Sequence, residues 1–344
     1  MRRPASLVLL ALAVFCAALA PLLRYYAYPR LAKVPPGQYM ATVLEARDAT
    51  LIDYATLQPR QVAKVSMVQT VKGDARQARK IKDATGRDVV VWDTLTYVAG
   101  PDGAMVSRIP ERYVFDAHSQ QPVHTGGEQI DGTPVRHEGI EYKWPFQVRK
   151  HDYQYFDLMT RTAAPIHYGG TRTFHGLRVY YFEQTVPWTR VPVPRTLPLG
   201  VTPETVRQLG LERWYTTKRM FWVDPTTGSP VNGEELHREE MRWTGHPEKK
   251  PITAFAGDVR MRPDYVDSVV HLVKTQRQLL LLLTDYVPGG CTGLGAALLA
   301  LALVLDGRAR RDRCAFGPGV AQDGENTRMG DPRPRASLSE GGSP

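Results

Sequence analysis

The sequence predicts a mainly β, antiparallel domain, built as a curved sheet or a sandwich with few helices, and flanked by two transmembrane α-helices. Three observations predict it. Apolar runs of 19 residues occupy positions 5–23 and 287–305, close to the ~20 residues a helix needs to cross a bilayer core. Between them, short stretches alternate large apolar or β-branched residues with polar ones, the pattern of half-buried strands. A strand–Asp–turn–strand unit also recurs, as Val114-Phe115-Asp116 through Val123 and Trp222-Val223-Asp224 through Val231, with a looser copy at Leu51-Ile52-Asp53. Asp, Ser and Thr side chains bond turn backbone and Gly228 accepts positive φ, so the unit reads as hairpins rather than βαβ.

Taken in order, residues 1–4 are a short basic N-terminus and residues 5–23 the first span. Arg2 and Arg3 before an apolar run also fit a cleavable signal, and Ala18-Leu19-Ala20 has the small-x-small form of a cleavage site. Pro21, Leu22 and Leu23 continue the run, which favours an uncleaved anchor. A lipoprotein reading would use Cys16, but bulky Phe15 precedes it. Tyr25, Tyr26 and Tyr28 suit an interfacial aromatic belt.

Residues 24–262 form the β-rich domain. Strands are expected at 61–71, 89–97, 111–115, 142–148, 178–185, 218–223 and 230–237. In the fourth, Tyr142, Trp144, Phe146 and Val148 would share one buried face. Residues 203–211 read as a helix, with Pro and Glu at its start and Gly210 near its end. The proline-rich segment 187–203 reads as an extended loop or lid.

Residues 263–286 form a stalk helix, with Tyr265, Val266, Val269, Val270 and Val273 at helical spacing, running on into the second span at 287–305. Asp285 just before that span is either an interfacial carboxylate or an intramembrane functional one. Gly289 and Gly293 match the small-xxx-small helix-packing motif and are the candidates for helix pairing. Residues 306–344 form a basic and then disordered tail, with 322–344 almost free of apolar residues.

Arg308, Arg310, Arg311 and Arg313 follow the second span, so the positive-inside rule places the tail in the cytoplasm. Two spans then put both termini in the cytoplasm and the central domain outside it. The net charge of +9 is scattered apart from this cluster, which explains the basic balance by topology and gives no reason to expect nucleic acid. Cys16, Cys291 and Cys314 are the chain's three cysteines. None falls between the spans, so the central domain has neither an internal disulfide nor a thiolate zinc site.

Sequence motifs for chemistry are absent. There is no Walker loop, no G-x-S-x-G and no H-E-x-x-H. The nine histidines read as scattered surface or hydrogen-bonded groups. Asp152, Asp157 and Glu183 could pair as carboxylates no better than any other trio. The expectation is a non-enzyme without cofactor or metal. The aromatic stretches say more. Trp144, Phe146, Tyr155, Phe156, Tyr181 and Trp222 supply large apolar area, either as an ordinary β core or as the wall of an acyl-chain cavity. They are the lipid-binding candidates.

Several pieces carry a resemblance: Ala20-Pro21-Leu22-Leu23-Arg24-Tyr25-Tyr26; Arg136-His137-Glu138-Gly139 with Tyr142-Lys143-Trp144-Pro145-Phe146; Lys150 with Tyr153-Gln154-Tyr155-Phe156-Asp157; Tyr181 through Pro187; and Trp222 through Gly228. Together they resemble the actinobacterial PorA-like "porin" family over about residues 1–305. The resemblance implies a two-span cell-envelope protein with an extracytoplasmic β domain. In the mycolate-bearing branch it implies a link to trehalose-mycolate transport beside a large lipid exporter and to polar growth. It transfers no catalytic residue. The chain departs from the family at the glycine-rich stretch 289–295.

The reading is therefore a membrane-anchored lipid-binding or lipid-transport accessory. Its expected partners are the lipid bilayer, an acyl lipid or glycolipid, and an envelope lipid exporter or other membrane protein. A scaffold acting through helix pairing is the alternative. A porin-like channel is disfavoured, because a membrane barrel needs outward-facing apolar strands closed on themselves.

Overall fold

A computed structural model describes residues 2–315; the tail at 322–344, expected to be disordered, lies outside the described residues. The chain divides into two units, residues 16–293 and the remainder, and everything below concerns the first unless stated.

The β-branched and aromatic alternation forms twelve strands in one antiparallel sheet. The first half runs through β1 (Tyr39–Asp53), β2 (Gln58–Gly73), β3 (Val89–Ala99), β4 (Met105–Asp116), and the two-residue β5 (Gln129–Ile130) and β6 (Thr133–Pro134). The second runs through β7 (Tyr153–Asp157), β8 (Thr162–Phe174), β9 (Leu177–Arg190), β10 (Leu211–Val223), β11 (Pro230–Trp243) and β12 (Ile252–Met261). Their order is β6-β5-β4-β3-β2-β1-β12-β11-β10-β9-β8-β7. Each half is thus a local meander, and the halves join where the first strand pairs with the last, Leu44 opposite Met261 and Leu51 opposite Phe255.

The sheet is open, with β6 and β7 at its ends, yet it curves far enough to bring the ends together. Ile109 of β4 and Ile130 of β5 pack on Phe156 of β7. The segment between β6 and β7 bridges the gap: Ile140 N–H donates to Gln154 O at 2.8 Å and Phe156 N–H to Ile140 O at 2.9 Å. Gly139 makes that approach possible. Its φ is +70°, and a Cβ there would lie 2.3 Å from Gln154 O.

The recurring Asp unit is a real turn, and it occurs four times among the described residues. Asp53, Asp116, Asp157 and Asp224 each accept, at the backbone carbonyl, the N–H four residues on: Leu57 at 2.7 Å, Gln120 at 3.0 Å, Arg161 at 2.8 Å and Gly228 at 2.9 Å. That fourth residue is left-handed every time, with φ of 56°, 61°, 60° and 72°. Each Asp Oδ1 also accepts from turn backbone, Asp53 from Ala55 at 2.8 Å and Asp224 from Thr226 and Thr227 at 3.0 and 2.8 Å.

One strand expectation is overturned. Residues 142–148 form no strand, because Tyr142 and Gln147 have φ near +57° and +58°. Their backbone docks on the Asp224 turn instead, with Trp144 N–H donating to Gly228 O at 2.9 Å and Val148 N–H to Pro225 O at 2.8 Å. The large residues therefore divide between two sides. Tyr142 and Phe146 join Trp92 and Phe115, while Trp144 and Val148 join Tyr155 and Phe182. The proline-rich loop is also shorter than expected, since β9 continues to Arg190. Pro187 sits in that strand beside a bulge, where the register against β10 shifts between Tyr215 and Thr217, a place that tolerates a missing donor.

Of the helices, α1 (Arg2–Pro21) continues through a wide π-type turn, Leu22–Ala27, into α2 (Tyr28–Leu31). The amphipathic α3 (Ala75–Thr85) was not expected from sequence; Asp74 caps it, accepting Gln77 N–H at 2.9 Å, and Gly86 ends it. The short α4 (Pro203–Gln208) begins at a Thr202 capping box, as its Pro and Glu suggest. The stalk is α5 (Pro263–Leu281), followed by a second π-type turn, Leu282–Tyr286, and α6 (Val287–Ala315). Val266, Val270 and Val273 of α5 pack on Leu177, Val179 and Val231. Two helical stretches, Ala5–Leu31 and Pro263–Arg308, are long and apolar enough to cross a membrane.

Candidate functional site

The concave face of the sheet encloses a cavity of about 1300 Å³, larger than the ~300–1000 Å³ of ordinary small-molecule pockets. Strand alternation selects its walls. Trp92, Thr96 and Val98 of β3 face it, as do Tyr215, Arg219 and Phe221 of β10. Met40, Leu44 and Met67 supply adaptable apolar wall from β1 and β2. The cavity extends along α5 past Leu272 to Leu279, Leu280, Leu282 and Leu283, where the apolar helix begins.

Its opposite wall is charged. Opposed residues of β10 and β11 include Arg219 with Glu235, Thr217 with His237 and Tyr215 with Glu239. Arg219 Nη2 donates to Asp157 Oδ2 at 2.5 Å and to Tyr215 Oη at 2.8 Å, and lies 3.6 Å from Glu235 Oε1. His237 spans Glu235 at 3.0 Å and Glu239 at 2.7 Å. Arg213 closes the row with two donors to Glu239 Oε2, at 2.8 and 2.7 Å. Acids and bases alternate along the whole row, Asp157–Arg219–Glu235–His237–Glu239–Arg213, so it is neutral when His237 is protonated. Burial opposes that charge, but the hydrogen bonds that His237 donates to Glu235 and Glu239 outweigh it and lift its pKa to about 9. Burial likewise would raise Glu239, but Arg213 and His237 pull it down to about 2. A satisfied row of this kind gives a rigid polar wall rather than a reactive group.

A second buried cluster lies beside the cavity at Glu141 and does not balance. His137 is fully buried, with Nε2 2.9 Å from Glu111 Oε1 and Nδ1 3.2 Å from Glu128 Oε1. Glu141 Oε2 lies 3.9 Å from His137 Nε2, is buried, and makes no hydrogen bond. Burial first, and then the adjacent charge of Glu111, hold the Glu141 carboxyl well above the usual range. Burial opposes charge on His137, but bonds to Glu111 and Glu128 raise its pKa.

The six lipid-binding candidates divide. Phe146, Tyr155 and Phe156 line the cavity. Trp144 stands behind Tyr155, at 5.5 Å between ring centroids, and is fully buried. Tyr181 and Trp222 pack edge to face away from the cavity, where Arg172 lies over Tyr181 at 3.3 Å and Trp222 joins the cluster under α5. Asp152, Asp157 and Glu183 are not brought together; each pairs with a different base, His167, Arg219 and Lys218. Gly289 and Gly293 make no close helix contact among the described residues, since a Cβ at either meets nothing within 4 Å. Asp285 lies 3.7 Å from Arg24, both about half exposed.

Sequence reasoning missed the charged wall. The signal was present in Arg213-x-Tyr215-x-Thr217-x-Arg219 and Glu235-x-His237-x-Glu239, where strand alternation puts every ionisable group on one face.

A curved antiparallel sheet around a large, mostly apolar cavity, with long apolar helices before and after it, marks a membrane protein with a β domain. The chain belongs to the Porin PorA family, whose model matches residues 5–304. It is similar to a protein named Porin PorA from Corynebacterium amycolatum, with 22% identity over 303 residues, 68% of this chain and 77% of that one. A protein of the same name from Corynebacterium resistens shares 26% identity over 192 residues, 38% of this chain and 46% of that one.

Proposed function

We propose that this protein is a non-enzymatic lipid-binding or lipid-transport accessory of the cell envelope, anchored by two membrane-spanning helices. The single observation that carries the reading is the cavity's course. It runs from a cluster of leucines at 279–283, where α5 passes into the apolar helix, to a polar wall deep in the sheet. An acyl chain could leave the bilayer along those leucines without crossing water, and its polar end would meet fixed donors and acceptors. The basic run after the second span supports cytoplasmic termini and an extracytoplasmic central domain. An envelope lipid exporter is the partner class this reading implies.

The relatives' name suggests a pore, but the strands give that reading little support. A membrane barrel needs an apolar outer band. Here Arg60, Lys64, Arg178, Lys218, Arg238 and Asp258 are exposed strand residues. Pure protein in planar bilayers is expected to give no single-channel conductance.

The test is native mass spectrometry of the full chain in detergent. Wild type should carry acyl lipid, and Met67→Trp or Ser107→Trp, which fill the cavity, should lose it with circular dichroism unchanged. A wild-type mass without adduct, after extraction in several mild detergents, would sink the proposal. For orientation, a Thr56→Cys variant should react with a membrane-impermeant maleimide in intact cells. Labelling only after lysis would reverse the topology.

A further inference from the structure

We propose that Glu111, His137 and Glu141 form a structural site for one divalent transition-metal ion, of the Zn²⁺ class, that staples the two ends of the curved sheet. The three offer one ligand atom each, all within 4.8 Å of one another, and all three side chains are buried. Tetrahedral Zn²⁺ with bonds of about 2.0–2.1 Å requires ligand atoms about 3.3 Å apart. Opening the 2.9 Å Glu111–His137 distance and closing the 3.9 Å Glu141–His137 distance by about half an ångström brings both to that value, and the Glu111–Glu141 pair lies within 4.8 Å.

The surroundings are those of a metal site. Two of the three ligands, His137 and Glu111, are aimed by further partners, as outer-shell groups aim metal ligands. Glu128 holds His137 Nδ1 at 3.2 Å and so turns Nε2 toward the carboxylates; Glu128 is in turn held by His124 at 3.1 Å. Thr94 Oγ1 donates to Glu111 Oε2 at 2.9 Å, and Tyr142 Oη donates to the same oxygen, which leaves Oε1 to face the site. Glu141 Oε2 points into this group with no hydrogen-bond partner. A buried unpaired carboxylate oxygen is costly.

Charge separates this cluster from the neutral row on β10 and β11. If all three were ionised, Glu111, Glu128 and Glu141 would outnumber His137 and His124 even with both imidazoles charged, so without an ion Glu141 keeps its proton. A dication would replace that proton and the one on His137 Nε2 as it binds. The mixed imidazole and carboxylate set favours Zn²⁺ over Ca²⁺ or Mg²⁺, which take oxygen donors. Position gives the site its purpose. Glu111 belongs to β4, whereas His137 and Glu141 flank Ile140, the residue that bridges to Tyr155 of β7. The central domain contains no cysteine, so an ion would supply the cross-link that a disulfide supplies elsewhere.

The experiment uses full chain in detergent, stripped with chelator and titrated with Zn²⁺ against a chromophoric competitor. Wild type should bind one Zn²⁺ per chain and melt at a higher temperature than its apo form. Glu141→Gln, which keeps the side-chain shape, should lose the site while circular dichroism stays unchanged. Glu128→Gln should weaken it about 10–100-fold. The exposed His246→Ala should bind as wild type. The proposal is overturned if apo and Zn²⁺-loaded wild type melt alike. It is equally overturned if Glu141→Gln binds with wild-type affinity, or if wild type binds no ion, in which case a shared proton alone relieves Glu111 and Glu141.

Discussion

His237 shows how one buried side chain contributes to the pH response of the domain. Its folded pKa is about 9, against an ordinary value of 6.5. Because the folded value is the higher, this stabilisation is fully present below pH 6.5 and is lost as pH rises through about 9. The difference amounts to about 3 kcal/mol. Burial of Lys143 lowers its pKa to about 7, which gives a slope of opposite sign over much of this range. Between pH 6.5 and 9.5 the melting temperature of wild type should therefore fall relative to that of His237→Asn, and a difference between the two that stays level would show that the row carries no such linkage. Arg219 makes the complementary case. With Asp157, Tyr215 and Gln184 all bonded to it, Asp157→Ala strands a buried cation and should cost about 3–5 kcal/mol, readable by denaturant titration.

At the scale of elements, the four Asp turns share a backbone but differ in surroundings, so the same substitution should have unequal effects. Asp224 is fully buried, and its second oxygen pairs with Arg277 of α5 at 3.2 Å. Asp224→Ala should cost about 3 kcal/mol. Asp53 caps an exposed turn, and Asp53→Ala should cost under about 1 kcal/mol. Equal midpoint shifts in urea would refute that ranking. Gly139→Ala should cost about 2–3 kcal/mol, since it meets both positive φ and the Gln154 carbonyl; a neutral effect would mean the bridging segment yields easily. These turns were partly legible in the sequence. Copies at Asp53, Asp116 and Asp224 could be read because strand residues precede each Asp. The copy at Asp157 escaped because Leu158 and Met159 give the turn no polar signature. Residues 142–148 misled for the opposite reason: their alternation is real, but left-handed residues at 142 and 147 send successive large side chains to two cores. Glu111, His137 and Glu141 were illegible, because an irregular segment carries no period from which their meeting could be inferred.

For the whole molecule, fold class and the two long apolar helices followed from composition and alternation, whereas the cavity did not. Bulky alternation looks the same in a filled core and in a hollow one; only the curvature that brings Phe156 onto Ile109 and Ile130 makes the sheet hollow. Because the β1–β12 pair joins the halves, unfolding should be a single transition. Fluorescence dominated by Trp92 in the first half, isolated by replacing the other tryptophans with Phe, should melt together with the circular dichroism of the whole domain. Separate midpoints would mean the halves unfold independently. The same pair has a mechanical consequence. Residue 39 begins β1 and residue 261 ends β12, and near those ends Leu44 lies opposite Met261. The two apolar helices, which the proposed topology sets in the membrane, therefore depart from the same end of one antiparallel pair. A force that pulls the anchors apart would load its hydrogen bonds one after another, as in unzipping, rather than all at once in shear. Under the proposed anchorage, lateral tension between the helices would first test the docking of α5 on the sheet through Val266, Val270, Val273 and Arg277, and only then this ladder.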